Sequence, residues 1–210
     1  MKLSTITLMI AVLSISALYA QEINPDKKEI KTIFGNKKIS HGGYGGLIFG
    51  MDIIDKSYAF HSGLRAAWMI GPSFGLGFTA SGFSNDMESL TGNEDEVYNL
   101  NGGYGGLLFE PVFAPRFPFH LSFPIVAGAG TVVSTHTYKT DDYEWDAYTV
   151  DESFFLMLQP GVEIELNLLK FLRLGAGVSW KFTTETDIPG KDNYMFDHLM
   201  YQASLKFGKF

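Results

Sequence analysis

Beyond residue 38 the chain is written in period two: eight runs in which apolar or aromatic residues alternate with glycine, small or polar ones. A β-strand sends successive side chains to opposite faces, so each run specifies a strand with one apolar and one polar face. The runs lie at about 39–51, 58–70, 74–81, 98–112, 119–133, 153–166, 171–183 and 201–208. In the seventh, for example, Leu172, Leu174, Ala176, Val178, Trp180 and Phe182 share one face, and Arg173, Gly175, Gly177, Ser179 and Lys181 the other. No stretch after Gln21 approaches the eighteen or so apolar residues of a spanning helix.

The connections are unequal. Those after the second, fourth and sixth runs are short, whereas 84–97, 134–152 and 184–193 are long, polar and acidic. The link at 52–57 is the exception, being short on the long side. Tight turns at one end and longer loops at the other are the pattern of a membrane barrel. Face chemistry supports the same choice. Glycine is frequent on the polar face, and its charges nearly cancel: Arg65, Arg173, Lys181 and Lys206 against Glu110, Glu163 and Glu165. Glycine would only weaken a solvent-facing strand, but it suits a narrow lumen filled with opposed charges. The expected fold class is therefore all-β, an eight-stranded antiparallel up-and-down transmembrane β-barrel over residues 39–210, with those seven residues as a lumen network. Arg65 and Lys181 are expected near Glu110 or Glu163. Tyr58, Trp68, Phe74, Phe83, Phe119, Phe154, Phe171, Phe182 and Tyr201 are expected in two interfacial aromatic belts.

The first 20 residues have a lysine at position 2, an apolar centre from Leu8 to Leu18 and Leu18-Tyr19-Ala20 before Gln21. That is a secretory signal peptide, to be kept out of the fold. Residues 21–38 form a polar, lysine-rich N-terminal extension. Cysteine is absent, so neither a disulfide framework nor a thiol-borne lipid anchor is available. A formal net charge of −7 speaks against nucleic acid as a partner.

HGGYGGLIFG at 41–50 returns as NGGYGGLLFE at 101–110. In each copy a tyrosine, Tyr44 or Tyr104, stands between glycine pairs, and glycine in a strand marks a close approach by a ring or a backbone. Parity puts Tyr44 with Gly50 and Tyr104 with Glu110, so both rings are expected to fill the lumen. Replacing Tyr44 with Ala is then expected to loosen the barrel.

The chain resembles small eight-stranded outer-membrane barrels, the class of the OmpA transmembrane domain and OmpX, and more closely a group of outer-membrane barrels without assigned activity. The resemblance rests on the signal peptide, the Gly-Gly-Tyr-Gly-Gly strands, FHLSFP at 119–124 running into Gly128-Ala129-Gly130, PGVEIELN at 160–167 leading to RLGAGVS at 173–179, and the terminal aromatic Phe210. It implies the outer membrane as location, membrane lipid as surroundings, a monomer, and recognition of the last strand through Phe210 by the barrel-insertion machinery. Phe210 is out of phase with Tyr201, Leu205 and Phe207, so either a bulge lies at Gly208 or the terminal signal is imperfect.

For chemistry the sequence offers little. The five histidines lack the close spacing of a metal site, so no metal and no cofactor is expected. His120 and Ser122 have the spacing of lipid-deacylating barrels, but position 123 is Phe where that pattern has Asn. Ser134, His136, Asp141 and Asp142 supply the residue types of acyl transfer without any sign of its geometry. No catalytic residue is assigned. The acidic, aromatic loop carrying Asp141, Asp142, Trp145 and Tyr148 is either folded on itself or a contact surface for a partner. The leading reading is an integral outer-membrane protein with a packed polar lumen. A narrow channel or small-solute binder, a lipid-modifying enzyme and a soluble periplasmic barrel are the alternatives.

Overall fold

The structure, a computed structural model, describes residues 40–55, 57–85, 96–139 and 145–210. The expected signal peptide at 1–20 and extension at 21–38 lie outside the described residues. The strands are β1 (His41–Ile54), β2 (Ser57–Ile70), β3 (Phe74–Asn85), β4 (Glu96–Phe113), β5 (Phe119–Ser122), β6 (Ile125–Lys139), β7 (Trp145–Leu169), β8 (Leu172–Trp180), β9 (Phe182–Thr183) and β10 (Leu199–Lys209). Two breaks account for ten segments in an eight-membered wall. Pro124 has no N–H to give a ladder and separates β5 from β6, yet its carbonyl still accepts from Gly161 at 2.8 Å. Lys181 separates β8 from β9, its amide turning to the His198 carbonyl at 3.3 Å.

With β5 and β6 forming one member of the wall and β8 and β9 another, each member pairs antiparallel with the next, and β10 pairs with β1, from Gly43↔Lys209 to Met51↔Tyr201. Among the described residues the sheet thus closes into an up-and-down barrel with no free edge, the arrangement that lets strands satisfy every backbone group within a bilayer. The register of β10 on β1 runs without a shift as far as Lys209, so there is no bulge at Gly208. Phe210 follows the inward parity of Lys206 and Gly208 and packs against Tyr44, with ring centroids 5.7 Å apart. The terminal aromatic is therefore a lumen residue.

Several strands are longer than the sequence pattern indicated. β6 continues to Lys139 and β7 begins at Trp145, so Ser134, His136 and Glu152 sit on strands instead of in a loop. The register slips between Ser134 and Thr135, where β7 carries one extra residue. A hairpin ladder continues through such a bulge, whereas strict alternation does not, which is why the pattern was lost there. β1 likewise extends to Ile54, and Asp55, at φ 48°, enters the short link to β2.

The wall is inverted relative to a soluble barrel. Its outward positions carry Leu47, Phe49, Leu64, Phe78, Leu107, Leu156 and Ile164, all exposed. Charged residues among the described outward positions appear only near the ends, as Glu152 and Lys209. Trp68, Phe119, Phe171, Tyr58, Phe154, Phe182 and Tyr201 are exposed on this surface, as belts require, and Phe74 is half-buried. Phe83 does not join them: it lies inside, beside His61 and Phe196. Its odd number in β3 already opposes Phe74 and Phe78, so parity, followed strictly, places it in the lumen.

Candidate functional site

The site is the lumen itself. At the end where the chain terminus lies, β2, β4, β7, β8 and β10 each aim charged side chains inward. Arg65 Nη1 donates to Glu163 at 3.0 Å and to Glu110 at 3.4 Å. Lys206 donates to Glu110 and Glu165 and lies 3.4 Å from Glu163. Arg173 reaches Glu165 at 3.5 Å and covers the Phe210 ring at 3.8 Å from its centroid, a cation–π contact closing this end. His120 Nε2 meets Glu165 at 2.9 Å, and the Tyr44 hydroxyl donates to Glu110. Every polar member is at most 6% exposed. Three carboxylates face three cationic side chains, a set whose charges balance, the condition under which charges can stay in a low-dielectric interior.

Above this cluster, uncharged amides and hydroxyls tie the wall together. Gln159 donates to Ser179 at 2.8 Å, Ser179 to Gln202 at 3.3 Å, and Gln202 to Glu163 at 2.8 Å. Ser204 adds a bond to Glu163 at 3.0 Å. Higher still is a second ionic group. Asp52 accepts from Lys181 and meets His61 Nε2 at 2.8 Å, while His61 Nδ1 lies 3.4 Å from the Tyr104 hydroxyl.

At the far end the filling is apolar. Residues 184–198 fold back into the mouth, where Ile188, Met195 and Phe196 are buried against Ile54, Phe83, Leu100, Val132 and Phe155. Phe196 stacks on Phe155 with centroids 4.8 Å apart and meets Phe83 edge-on at 5.3 Å. Asp197 accepts from the Thr183 amide at 2.9 Å, and Lys191 reaches Asp55 at 2.7 Å, pinning the segment to the rim. Asn85 finishes the rim, accepting from the Leu100 amide at 2.7 Å and donating to the Ile54 carbonyl at 3.3 Å.

Six of the seven expected network residues meet in one cluster: Arg65, Glu110, Glu163, Glu165, Arg173 and Lys206. Lys181 does not stand near Glu110 or Glu163; its partner is Asp52. Sequence reasoning placed Asp52 in a link and missed it, although it continues the inward parity of Ile48 and Gly50. It also missed the plug residues, which carry no period. Tyr44 and Tyr104 are both buried in the lumen. Each lies directly across the ladder from a glycine: Tyr44 from Gly208 and Tyr104 from Gly130. A Cβ at Gly208 would fall 2.6 Å from the Tyr44 Cβ, and one at Gly130 2.7 Å from that of Tyr104. In both copies the glycine opposite lets the two strands approach closely at the tyrosine.

Asp141 and Asp142 lie outside the described residues, and Trp145 and Tyr148 are described only by their backbone, on β7. Ser134 and His136, read as loop residues, are buried on β6. His120 and Ser122 are buried at the opposite end, with His120 engaged by Glu165. Oxygens of Glu110, Glu163 and Glu165 lie within 4.8 Å of one another, a spacing that hard cations use. Arg65, Arg173 and Lys206 already balance them.

No protein-family model matches the chain, and no curated protein matches it. Among solved structures, Neisserial surface protein A (NspA) is similar at 12% identity and a TM-score of 0.43, covering 82% of this chain and 99% of that one. Ail, the attachment invasion locus protein of Yersinia pestis, is similar at 10% identity and a TM-score of 0.42, covering 80% and 95%. A major outer membrane protein from Thermus thermophilus is similar at 14% identity and a TM-score of 0.44, covering 79% and 98%. Values this low transfer nothing of those proteins' activities, and the fold of this chain stands on its own strand pairing.

Proposed function

We propose that this chain is an integral protein of the bacterial outer membrane whose barrel is a closed anchor that holds segments at the long-loop end for interaction with a partner. The observation that carries the reading is the inversion of the wall: an apolar, uncharged outer band around a charged, internally neutral lumen. In water this arrangement would expose a continuous apolar surface far larger than soluble monomers tolerate. In a bilayer the same surface is solvated by lipid, and the strands of 11 to 18 residues among β1 to β4 and β10 are long enough to span it. Ion pairs, amides and a folded-in segment fill the lumen in succession, which favours an anchor over a conduit. Phe210, facing inward under Arg173, supports a role in sealing the barrel end; recognition of the last strand by insertion machinery then has to use its outward residues, Tyr201, Leu205 and Phe207.

The test combines location and conductance. The protein is expected to fractionate with outer membranes, to migrate differently in detergent gels before and after boiling, and to give no discrete current steps in planar bilayers. Recovery as a soluble periplasmic protein would sink the membrane reading, and reproducible current steps would sink the closed lumen.

A further inference from the structure

Between the two ionic groups the lumen keeps a cavity of about 20 Å³, bordered by Arg65, Thr79, Ser81, Tyr104, Gln159 and Gln202 among others. A void needs roughly 10–15 Å³ of this kind of volume, and two to four polar partners, to hold one water molecule. The lining supplies both hydroxyls and amides. A second observation is independent of the volume. Arg65 is 4% exposed, its Nη1 is taken by Glu110 and Glu163, and its Nε is buried without a protein partner. Such a donor, left unmet in the interior, forfeits its hydration with nothing in return.

We propose that this cavity is a binding site for a single structural water, which accepts a hydrogen bond from Arg65 Nε and bonds in turn to the hydroxyl-bearing wall. Charge selects water over an ion. None of the bordering residues is a carboxylate, so a cation finds no anionic ligand there. The positive charge of Arg65 is already matched by Glu163 and Glu110, so a halide would add an uncompensated charge to a neutral interior. The water joins the lower cluster to the Tyr104–His61–Asp52–Lys181 group and makes the polar filling continuous through the middle of the barrel. The site stands on the cavity and Arg65 alone and does not depend on the anchor role.

The experiment is water-to-protein cross-relaxation on the full-length mature protein, ¹⁵N-labelled and folded in lipid nanodiscs, read at the Arg65 side-chain Nε–H. A cross-peak at the water frequency, with the sign of a long-lived contact, is expected. It should vanish in Ser81→Val, whose added methyl groups fill the void, while the unboiled gel mobility of the folded barrel is retained. A folded wild-type barrel whose Arg65 Nε–H shows no water cross-peak overturns the proposal. So does a shift of that resonance when chloride is exchanged for bromide, which would assign the site to an anion. Current steps in a bilayer would overturn the closed lumen and leave this result standing.

Discussion

The two ends of the lumen are filled by opposite means. Near the chain terminus, the filling is ionic and comes from strands: Arg65, Glu110, Glu163, Glu165, Arg173 and Lys206, with Tyr44 and Phe210 beneath. At the other mouth it is apolar and comes largely from a connection: Ile188, Met195 and Phe196 packed on Phe83, Leu100 and Phe155. The ionic end is specific and brittle, because each charge is tolerated only while its partners are present. The apolar end is tolerant of change in proportion to the volume removed. Substitutions should therefore separate the two ends by how they fail.

The largest effect is expected from Lys206→Met. Lys206 serves Glu110 and Glu165 directly and stands beside Glu163, so its loss strands buried negative charge. Breaking one side of a buried pair costs about 3–5 kcal/mol, and this residue serves more than one pair. Urea unfolding in lipid vesicles should show that loss, and adding Glu110→Gln should restore part of it. A Lys206→Met barrel as stable as the wild type would remove the ionic half of the comparison.

That ionic half was largely legible in the sequence, for a physical reason. A strand fixes the side of each residue by parity, so Arg65, Glu110, Glu163, Glu165, Arg173 and Lys206 could all be turned inward before any pairing was known. Parity does not fix height. Height follows from register and strand stagger around the barrel, and this is why Lys181 pairs with Asp52 two layers away from Glu163. The plug was illegible because a connection has neither parity nor period. Residues 184–193 contain Pro189, Gly190 and several charges and read as a polar loop leading to the last strand; only the folded chain brings Ile188, Met195 and Phe196 under cover.

Phe196→Ala comes next in size. The ring is 1% exposed and touches Phe155 and Phe83, so its removal leaves a cavity in the apolar end. Phe→Ala in a core costs about 3–5 kcal/mol, and partial collapse of a loop-borne core puts the expectation near the lower value, about 3 kcal/mol. Unlike Lys206→Met, the loss should not be relieved by a second substitution that removes a charge. Equal relief of the two variants by Glu110→Gln would erase the distinction between the ends.

Tyr44 tests both means within one residue. Its ring is buried in the lumen against Phe210, while its hydroxyl donates to Glu110. Tyr44→Phe keeps the ring and should cost about 1–3 kcal/mol, the penalty of an unmet buried acceptor. Tyr44→Ala removes the ring as well and should cost more. Thermal midpoints of the two variants in the same detergent decide the split: identical midpoints would mean that the buried ring contributes nothing.

The smallest expected effect is a pH dependence in the plug. The Tyr194 hydroxyl donates to Glu185 Oε1 at 2.6 Å, and this bond, with burial and the nearby carboxylates adding to it, raises the phenol above its ordinary pKa. The neutral phenol is the form the folded segment prefers. The contribution is thus fully present below the unfolded tyrosine pKa, about 10, and is lost as pH rises through the higher folded value. Because Tyr194 is exposed, the contribution to stability is small, and the useful readout is spectroscopic. The difference between the tyrosinate absorbance titrations of wild type and Tyr194→Phe should place this phenol above the ordinary range, and Glu185→Gln should bring it back toward that range. If Glu185→Gln leaves the titration where it was, the hydrogen bond is not what tunes Tyr194, and the rim of the apolar end is set by its buried rings and by Lys191 on Asp55.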